Sequence, residues 1–283
     1  MKFTKMHCIG NDYIVVNCFE EKPDFDEGRL AELLCDRHFG IGADGLLFIQ
    51  PSEIADYKMS MFNADGSRTE MSGNGIICLS KYVYDSRMTN MTSVTIETLD
   101  GVKRSDLTVK DEKMRIATFA AGTPVLRSNG IELPIDSGIK NYDRDLIVEV
   151  LTVGKQEVRI VFLNVGVPHT VIFANDLQNV PFGTLGPAIE NHPRFPEKTN
   201  VNFVQVADRT HLRVRSWSRG VGDTMANGTG AAAAAVASWL LGFADREVDV
   251  KLPGGTVRAE IAEDGRTFVS GPATEVFRGE IDI

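Results

Sequence analysis

Apolar residues fall in short runs separated by Gly-, Asn- and Asp-rich turns, and few stretches carry helical spacing. Residues 13–17 read as a strand, and 26–36 read as a helix with Leu30, Leu33 and Leu34 on one face. A Gly-rich turn at 38–45 feeds an apolar strand at 46–49. Residues 58–63 alternate as a strand and end in the turn Asn63-Ala64-Asp65-Gly66. Ser72-Gly73-Asn74-Gly75 then opens a helix to about residue 84. Short strands are expected at 93–98, 107–109, 113–117, 146–150, 157–165, 170–173, 200–206 and 211–217, with loop and short helix at 181–189. Asn227-Gly228-Thr229-Gly230 opens a helix over 231–241, and strands return at 248–252, 257–261 and 267–270. Many short strands without βαβα alternation disfavour a doubly wound sheet and favour an antiparallel α+β fold.

The entry Gly-polar-Gly followed by an apolar helix occurs once in each half, which predicts two lobes of similar design. Neither entry is a G-x-G-x-x-G dinucleotide fingerprint. Such a turn leaves backbone N–H groups without helical partners, and the helix dipole adds about half a positive charge there. A helix start of this kind takes a carboxylate without a basic side chain, and glycine admits close approach. The same geometry also serves as plain helix capping.

Composition narrows the classes further. Thirty Lys+Arg against 39 Asp+Glu give a net charge of −9. That balance, with no basic run, argues against nucleic acid as a partner. The longest apolar stretch, 231–241, falls short of the roughly 20 residues of a membrane span. The first residues lack a signal-peptide pattern, so a cytoplasmic location is expected. Cys8, Cys18, Cys35 and Cys78 show neither CxxC spacing nor histidine partners and read as small buried hydrophobes. No metal site, nucleotide motif or pyridoxal-lysine motif is evident, so no cofactor is expected.

Six segments together resemble the diaminopimelate epimerase family, and the likeness runs essentially end to end. They are 5–13 (KMHCIGNDY), 36–45 (DRHFGIGADG), 62–67 (FNADGS), 73–75 (GNG), 200–203 (NVNF), and 219–222 (RGVG) with 228–230 (GTG). The resemblance implies two pseudo-symmetric lobes, each a curved antiparallel sheet around a central helix, with the ligand in a cleft between them. It implies lobes of 1–120 plus 272–283 and of 121–271. It further implies a cofactor-independent amino-acid racemase or epimerase of lysine biosynthesis, and a homodimer is compatible with it. Asn11, Asn63, Gly73, Asn74, Gly75, Asn200, Ser218, Arg219, Gly228 and Thr229 fall at its substrate-binding positions.

The departures concern the chemistry. The family's two catalytic groups are cysteines, one before each Gly turn, and here those positions hold Ser72 and Asn227. A thiol with a reference pKa of about 8.5 is tunable to a thiolate. A serine hydroxyl needs an activating base, and an asparagine amide is no general base. Val167 stands where the family usually has Asn, Ser218 where it has a Glu that meets the distal ammonium, and Ile77 where Arg is common. Charged hydrogen bonds contribute about 1.5–3 kcal/mol each, so diaminopimelate binding weakens by roughly two to three orders of magnitude.

The expected function is therefore an isomerase-type enzyme acting on a small amino or carboxylic acid without the two-thiol mechanism. The alternatives are a non-catalytic small-acid-binding homologue or an inactivated diaminopimelate epimerase. Candidate bases near the motifs are His7, Asp12, Asp65 and His169, each of which also reads as a structural hydrogen-bonding residue.

Overall fold

The computed structural model describes residues 1–20, 24–128, 131–134 and 147–282. Contacts divide the chain into a first unit of Met1–Phe119 with Ser270–Ile283 and a second of Ala120–Val269.

In the first unit, β1 (Lys2–Cys8) and β2 (Asn11–Asn17) pair antiparallel through a tight turn. The strand β1 escapes the hydrophobic pattern because Thr4 and Lys5 are both buried. The Lys5 ammonium is satisfied inside by Asp12 and the Gly42 carbonyl. Helix α1 (Glu27–Cys35), capped by Asp26, carries the chain to β3 (Gly45–Gln50), which therefore runs parallel to β2. Leu30, Ala31 and Leu34 of this helix pack on Ile14, Val16, Leu46 and Phe48. Strand β4 (Tyr57–Asn63) returns antiparallel and leads through the short β5 (Arg68–Thr69) to helix α2 (Gly73–Asp85). The α2 crossover makes β6 (Ser93–Thr98) parallel to β4. Strands β7 (Gly101–Lys110) and β8 (Lys113–Gly122) close the meander.

The second unit repeats this plan. Strands β9 (Val125–Ser128) and β10 (Ile131–Pro134) form a hairpin, as do β11 (Glu149–Val153) and β12 (Gln156–Val165). Of the expected strand at 146–150, Leu146 lies outside the described residues. Strand β13 (Val167–Phe173) pairs antiparallel with β12, and helix α3 (Phe182–Glu190) crosses to β14 (Asn200–Asp208), parallel to β13. Strand β15 (His211–Ser218) is antiparallel to β14 and leads through β16 (Gly222–Thr224) to helix α4 (Gly228–Leu240). Strand β17 (Glu247–Leu252) is then parallel to β15, and β18 (Gly255–Ile261) and β19 (Thr267–Gly271) follow. The last strand, β20 (Thr274–Glu280), pairs with β1.

Both units thus share one order of antiparallel and parallel pairings, with one helix crossing after β2 and β13 and another after β5 and β16. The α+β, two-lobed class holds, but the sheets are mixed rather than wholly antiparallel. The parallel pairs are the geometric result of the helical crossovers. Register repeats as well. Gly45 faces both Tyr13 and Asn63. Asn200 faces His169, and the neighbouring pair Val201–Trp217 sets it across from Ser218. Tyr13 and His169 therefore occupy equivalent places, as do Asn63 and Ser218, and Asn11 and Val167. Among the described residues no helix is long and apolar enough to cross a membrane.

Each central helix needs glycine at its entry for close packing. A Cβ on Gly73 would lie 2.1 Å from the Phe119 ring. One on Gly230 would lie 2.4 Å from Asn202 Oδ1. Gly73→Ala is expected to destabilise the protein by about 1–3 kcal/mol, the usual range for overpacking, read as a lower urea midpoint. Adding Phe119→Leu should recover part of the loss. Simple addition of the two losses would show that ring and glycine do not compete for the same space.

Candidate functional site

Both helix entries are built the same way. Ser72 precedes α2 with extended backbone (φ −136°, ψ 116°), and its Oγ accepts the Gly75 N–H at 3.1 Å. Asn227 precedes α4 (φ −143°, ψ 102°), and its Oδ1 accepts the Gly230 N–H at 2.7 Å. Each is an N-cap side chain that satisfies one amide of the first turn.

In the first unit a hydrogen-bonded chain runs back from Ser72. Its Oγ lies 3.0 Å from the hydroxyl of the buried Tyr13, which donates to Asn11 Oδ1. Asn74 Nδ2 donates to the same oxygen at 2.8 Å, and Asn11 Nδ2 donates to Asp44 Oδ2 at 2.7 Å. Arg37 joins Asp44 at 2.8 Å to Asp12 at 2.7 Å, and Lys5 meets Asp12 at 2.6 Å. Burial alone would raise the Asp12 carboxyl, but hydrogen bonds and charge from Arg37 and Lys5 hold it at about 2. Asp12 is therefore a paired anion rather than a base. Asn63 stands apart from this chain, held by Ser67 Oγ at 2.9 Å and Thr69 Oγ1 at 3.0 Å. Asp65 accepts from the Ser67 hydroxyl and amide, which lower its carboxyl, and so acts as a turn former. His7 Nδ1 accepts the Gly10 N–H at 3.2 Å in the turn between β1 and β2.

In the second unit Asn227 Nδ2 donates to Ser218 Oγ at 3.0 Å, and Thr229 Oγ1 donates to Asn227 Oδ1 at 3.1 Å. Ser218 Oγ lies 2.8 Å from Thr224 Oγ1, which reaches the Ser216 carbonyl at 3.5 Å. Ser216 Oγ donates to Asn202 Oδ1 at 2.8 Å, leaving Asn202 Nδ2 against His169 Nδ1 at 3.1 Å. With Nδ1 accepting, the proton of the neutral ring sits on Nε2. Burial, aided by the charge of Arg219, pushes His169 down to about 3. Its Nε2 has no hydrogen-bond partner among the described residues.

The loop after Ser218 is anchored from two sides. Asn200 Oδ1 accepts the Arg219 N–H at 3.0 Å, and Asn200 Nδ2 donates to the Pro168 carbonyl at 3.1 Å. The buried Glu190 accepts from Gly220 N–H and Trp217 Nε1, both at 2.8 Å. Arg219 Nη1 donates to the Glu197 carbonyl at 3.1 Å. Val167 starts β13 without an amide, whereas Asn11 supplies one at the equivalent place in β2.

The cysteines do not replace a nucleophile. All four are free thiols, and Cys8, Cys35 and Cys78 are buried. Burial pushes Cys8 and Cys35 up to about 12 and raises Cys78 well above the ordinary thiol range.

The structure thus joins Asn11, Ser72, Asn74 and Gly75 in one network. It joins Asn227, Thr229, Gly230 and Ser218 in another, and binds Asn200 to Arg219. Tyr13, Asp44, Asn202, Thr224 and Glu190 were not expected in these roles. Tyr13 reads as an ordinary strand residue, and Asp44 as part of a turn. The clearest available signal was Glu190, a carboxylate in an otherwise apolar segment.

The two-lobed fold is that of solved racemases, epimerases and their relatives. It matches a phenazine biosynthesis protein of the PhzF family from Bacillus anthracis with a TM-score of 0.72 at 17% identity, covering 100% of this chain and 99% of that one. It also matches a hydroxyproline epimerase from Agrobacterium vitis with a TM-score of 0.70 at 15% identity, covering 99% and 91%. The sequence goes further than the fold. A diaminopimelate epimerase family model matches residues 3–126 and 161–276. The diaminopimelate epimerase of Acetivibrio thermocellus is 45% identical over 285 residues, covering 100% of this chain and 99% of that protein. That of Methanococcus maripaludis strain C6 is 42% identical over 284 residues, covering 100% of both. The chain belongs to the diaminopimelate epimerase family, a family of isomerases.

Proposed function

We propose that the chain is a cofactor-independent, isomerase-type enzyme that holds a small amino or carboxylic acid at a Gly-rich helix start and does not exchange protons between two thiols. The observation that carries this reading is the state of Asn227. Its Oδ1 caps the helix through Gly230 and accepts from Thr229, and its Nδ2 is committed to Ser218. An amide so placed orients a ligand but removes no proton. Ser72 is likewise linked to Tyr13 and through it to an amide, with no base in hydrogen-bond contact among the described residues. First-turn amides and Arg219 supply the groups that take a carboxylate. Ser218, neutral, has no charge to offer a distal ammonium.

The same saturation of Ser72 and Asn227 favours one second reading, a homologue that binds its acid without turning it over. Calorimetric titration with small amino, hydroxy and dicarboxylic acids, followed by proton NMR of each binder in D2O, separates the readings. Binding with loss of a C–H signal supports the enzyme. Binding without any exchange supports the second reading, and failure of every acid to bind rejects both.

A further inference from the structure

We infer that Tyr13 is a specificity-determining positioning residue: it takes the only proton of Ser72, so the hydroxyl faces a ligand solely as an acceptor and selects an acid bearing a hydrogen-bond donor beside its carboxylate. This rests on the reading of the α2 start as an acid-binding site.

Counting protons along the network leads there. Asp44, ion-paired with Arg37 at 2.8 Å, is a carboxylate and accepts. Asn11 must therefore turn its Nδ2 toward Asp44 and its Oδ1 toward Tyr13 and Asn74. Asn74 Nδ2 donates to that Oδ1, and the Tyr13 hydroxyl donates its single proton there as well. In the 3.0 Å contact between Tyr13 and Ser72, the serine is then the donor. One Ser72 lone pair accepts the Gly75 N–H at 3.1 Å, and the other is left for a ligand. A ligand carbonyl or carboxylate oxygen at that lone pair meets an acceptor and is repelled. An α-ammonium or α-hydroxyl meets a partner.

The second helix start has the opposite polarity. Asn227 Oδ1 is occupied by Gly230 and Thr229, and one Nδ2 hydrogen is occupied by Ser218. The remaining Nδ2 hydrogen is a donor, and it suits a ligand carbonyl or carboxylate. The acceptor at position 72 alone suits an α-amino or α-hydroxy acid better than a keto acid.

Two measurements test this. Neutron diffraction from deuterated crystals of the unliganded protein should show the Tyr13 deuteron toward Asn11 and the Ser72 deuteron toward Tyr13. A Tyr13 deuteron directed at Ser72 would overturn the assignment whether or not any acid binds. Calorimetry with 2-aminopimelate, 2-hydroxypimelate and 2-oxopimelate should show the first two binding at least about tenfold more tightly than the third. Tyr13→Phe frees the serine proton and should narrow that ratio severalfold, while Ser72→Ala should abolish it. Equal binding of the keto acid to the wild type, or an unchanged ratio in Tyr13→Phe, overturns the selectivity. If none of the three acids binds, the α2 start is not an acid site and the selectivity falls with it, while the deuteron positions still judge the role of Tyr13.

Discussion

Diaminopimelate incubated with the chain in D2O is expected to keep its α-proton. A positioned acid or base contributes about 10²–10⁴-fold to proton transfer, and neither Ser72 nor Asn227 is equipped to act as one. Ser72 Oγ contacts Tyr13 and the Gly75 amide, and Asn227 contacts Ser218, Thr229 and the Gly230 amide. Introducing Ser72→Cys together with Asn227→Cys places thiols at two helix starts, where the dipole lowers a thiol pKa. The double variant is expected to raise α-proton exchange at least about 100-fold over the wild type, the low end of that range. Loss of the α-proton signal by NMR at saturating ligand is the measurement. Wild-type exchange as fast as that of the double variant would refute the proposed chemistry.

The second large effect concerns acid stability. His169 is fully buried, and desolvation with the Arg219 charge holds it at about 3, against an ordinary value of 6.5. The unfolded chain takes up a proton below about pH 6.5, and the folded protein does so only near pH 3. Stability from this group is complete above pH 6.5 and is lost as the pH falls, at about 1.4 kcal/mol per unit. Between pH 6.5 and 5 the loss is on the order of 2 kcal/mol. Asp12, held at about 2, loses its contribution only between about pH 4 and 2, so of these two groups His169 alone acts between pH 6.5 and 5. Both tryptophans, Trp217 and Trp239, lie in the second unit with His169. Their fluorescence in urea therefore reads the right part of the molecule. The wild-type midpoint should fall from pH 7 to pH 5, and His169→Gln should flatten the curve. A wild-type midpoint that does not move would show that His169 is not buried and neutral.

Much of the architecture is legible in local pattern, because turns, caps and apolar faces are local chemistry. The helices at 26–36 and after Ser72 and Asn227 follow from spacing and N-cap residues, and α1, α2 and α4 lie there. Strand β1 was missed because Lys5 looks solvent-facing until Asp12 supplies its partner. The parallel pairs were missed because crossover geometry is not written in any one strand. The candidate bases show the same boundary. His169, Asp12 and Asp65 are visible as residue types, but burial and ion pairing decide their protonation, and those belong to tertiary structure. The link from Ser72 to Tyr13 spans 59 residues, and no local rule anticipates it.

Helix α4 is buried from Gly228 through Ser238 except at Thr229, and residues 231–235 are all alanine. A rod with side chains no longer than a methyl group lets the surrounding strands draw in on every side, so its width sets the bore of the lobe. Any bulkier residue along it would have to force the wall outward. Substitutions along 231–235 are therefore expected to be costly, and the positions left open to change lie at the rim, at the capping residue and the neighbouring strand ends. Asn227 and Ser218 are rim positions of that kind, and they touch each other, so a change in one reshapes the seat of the other.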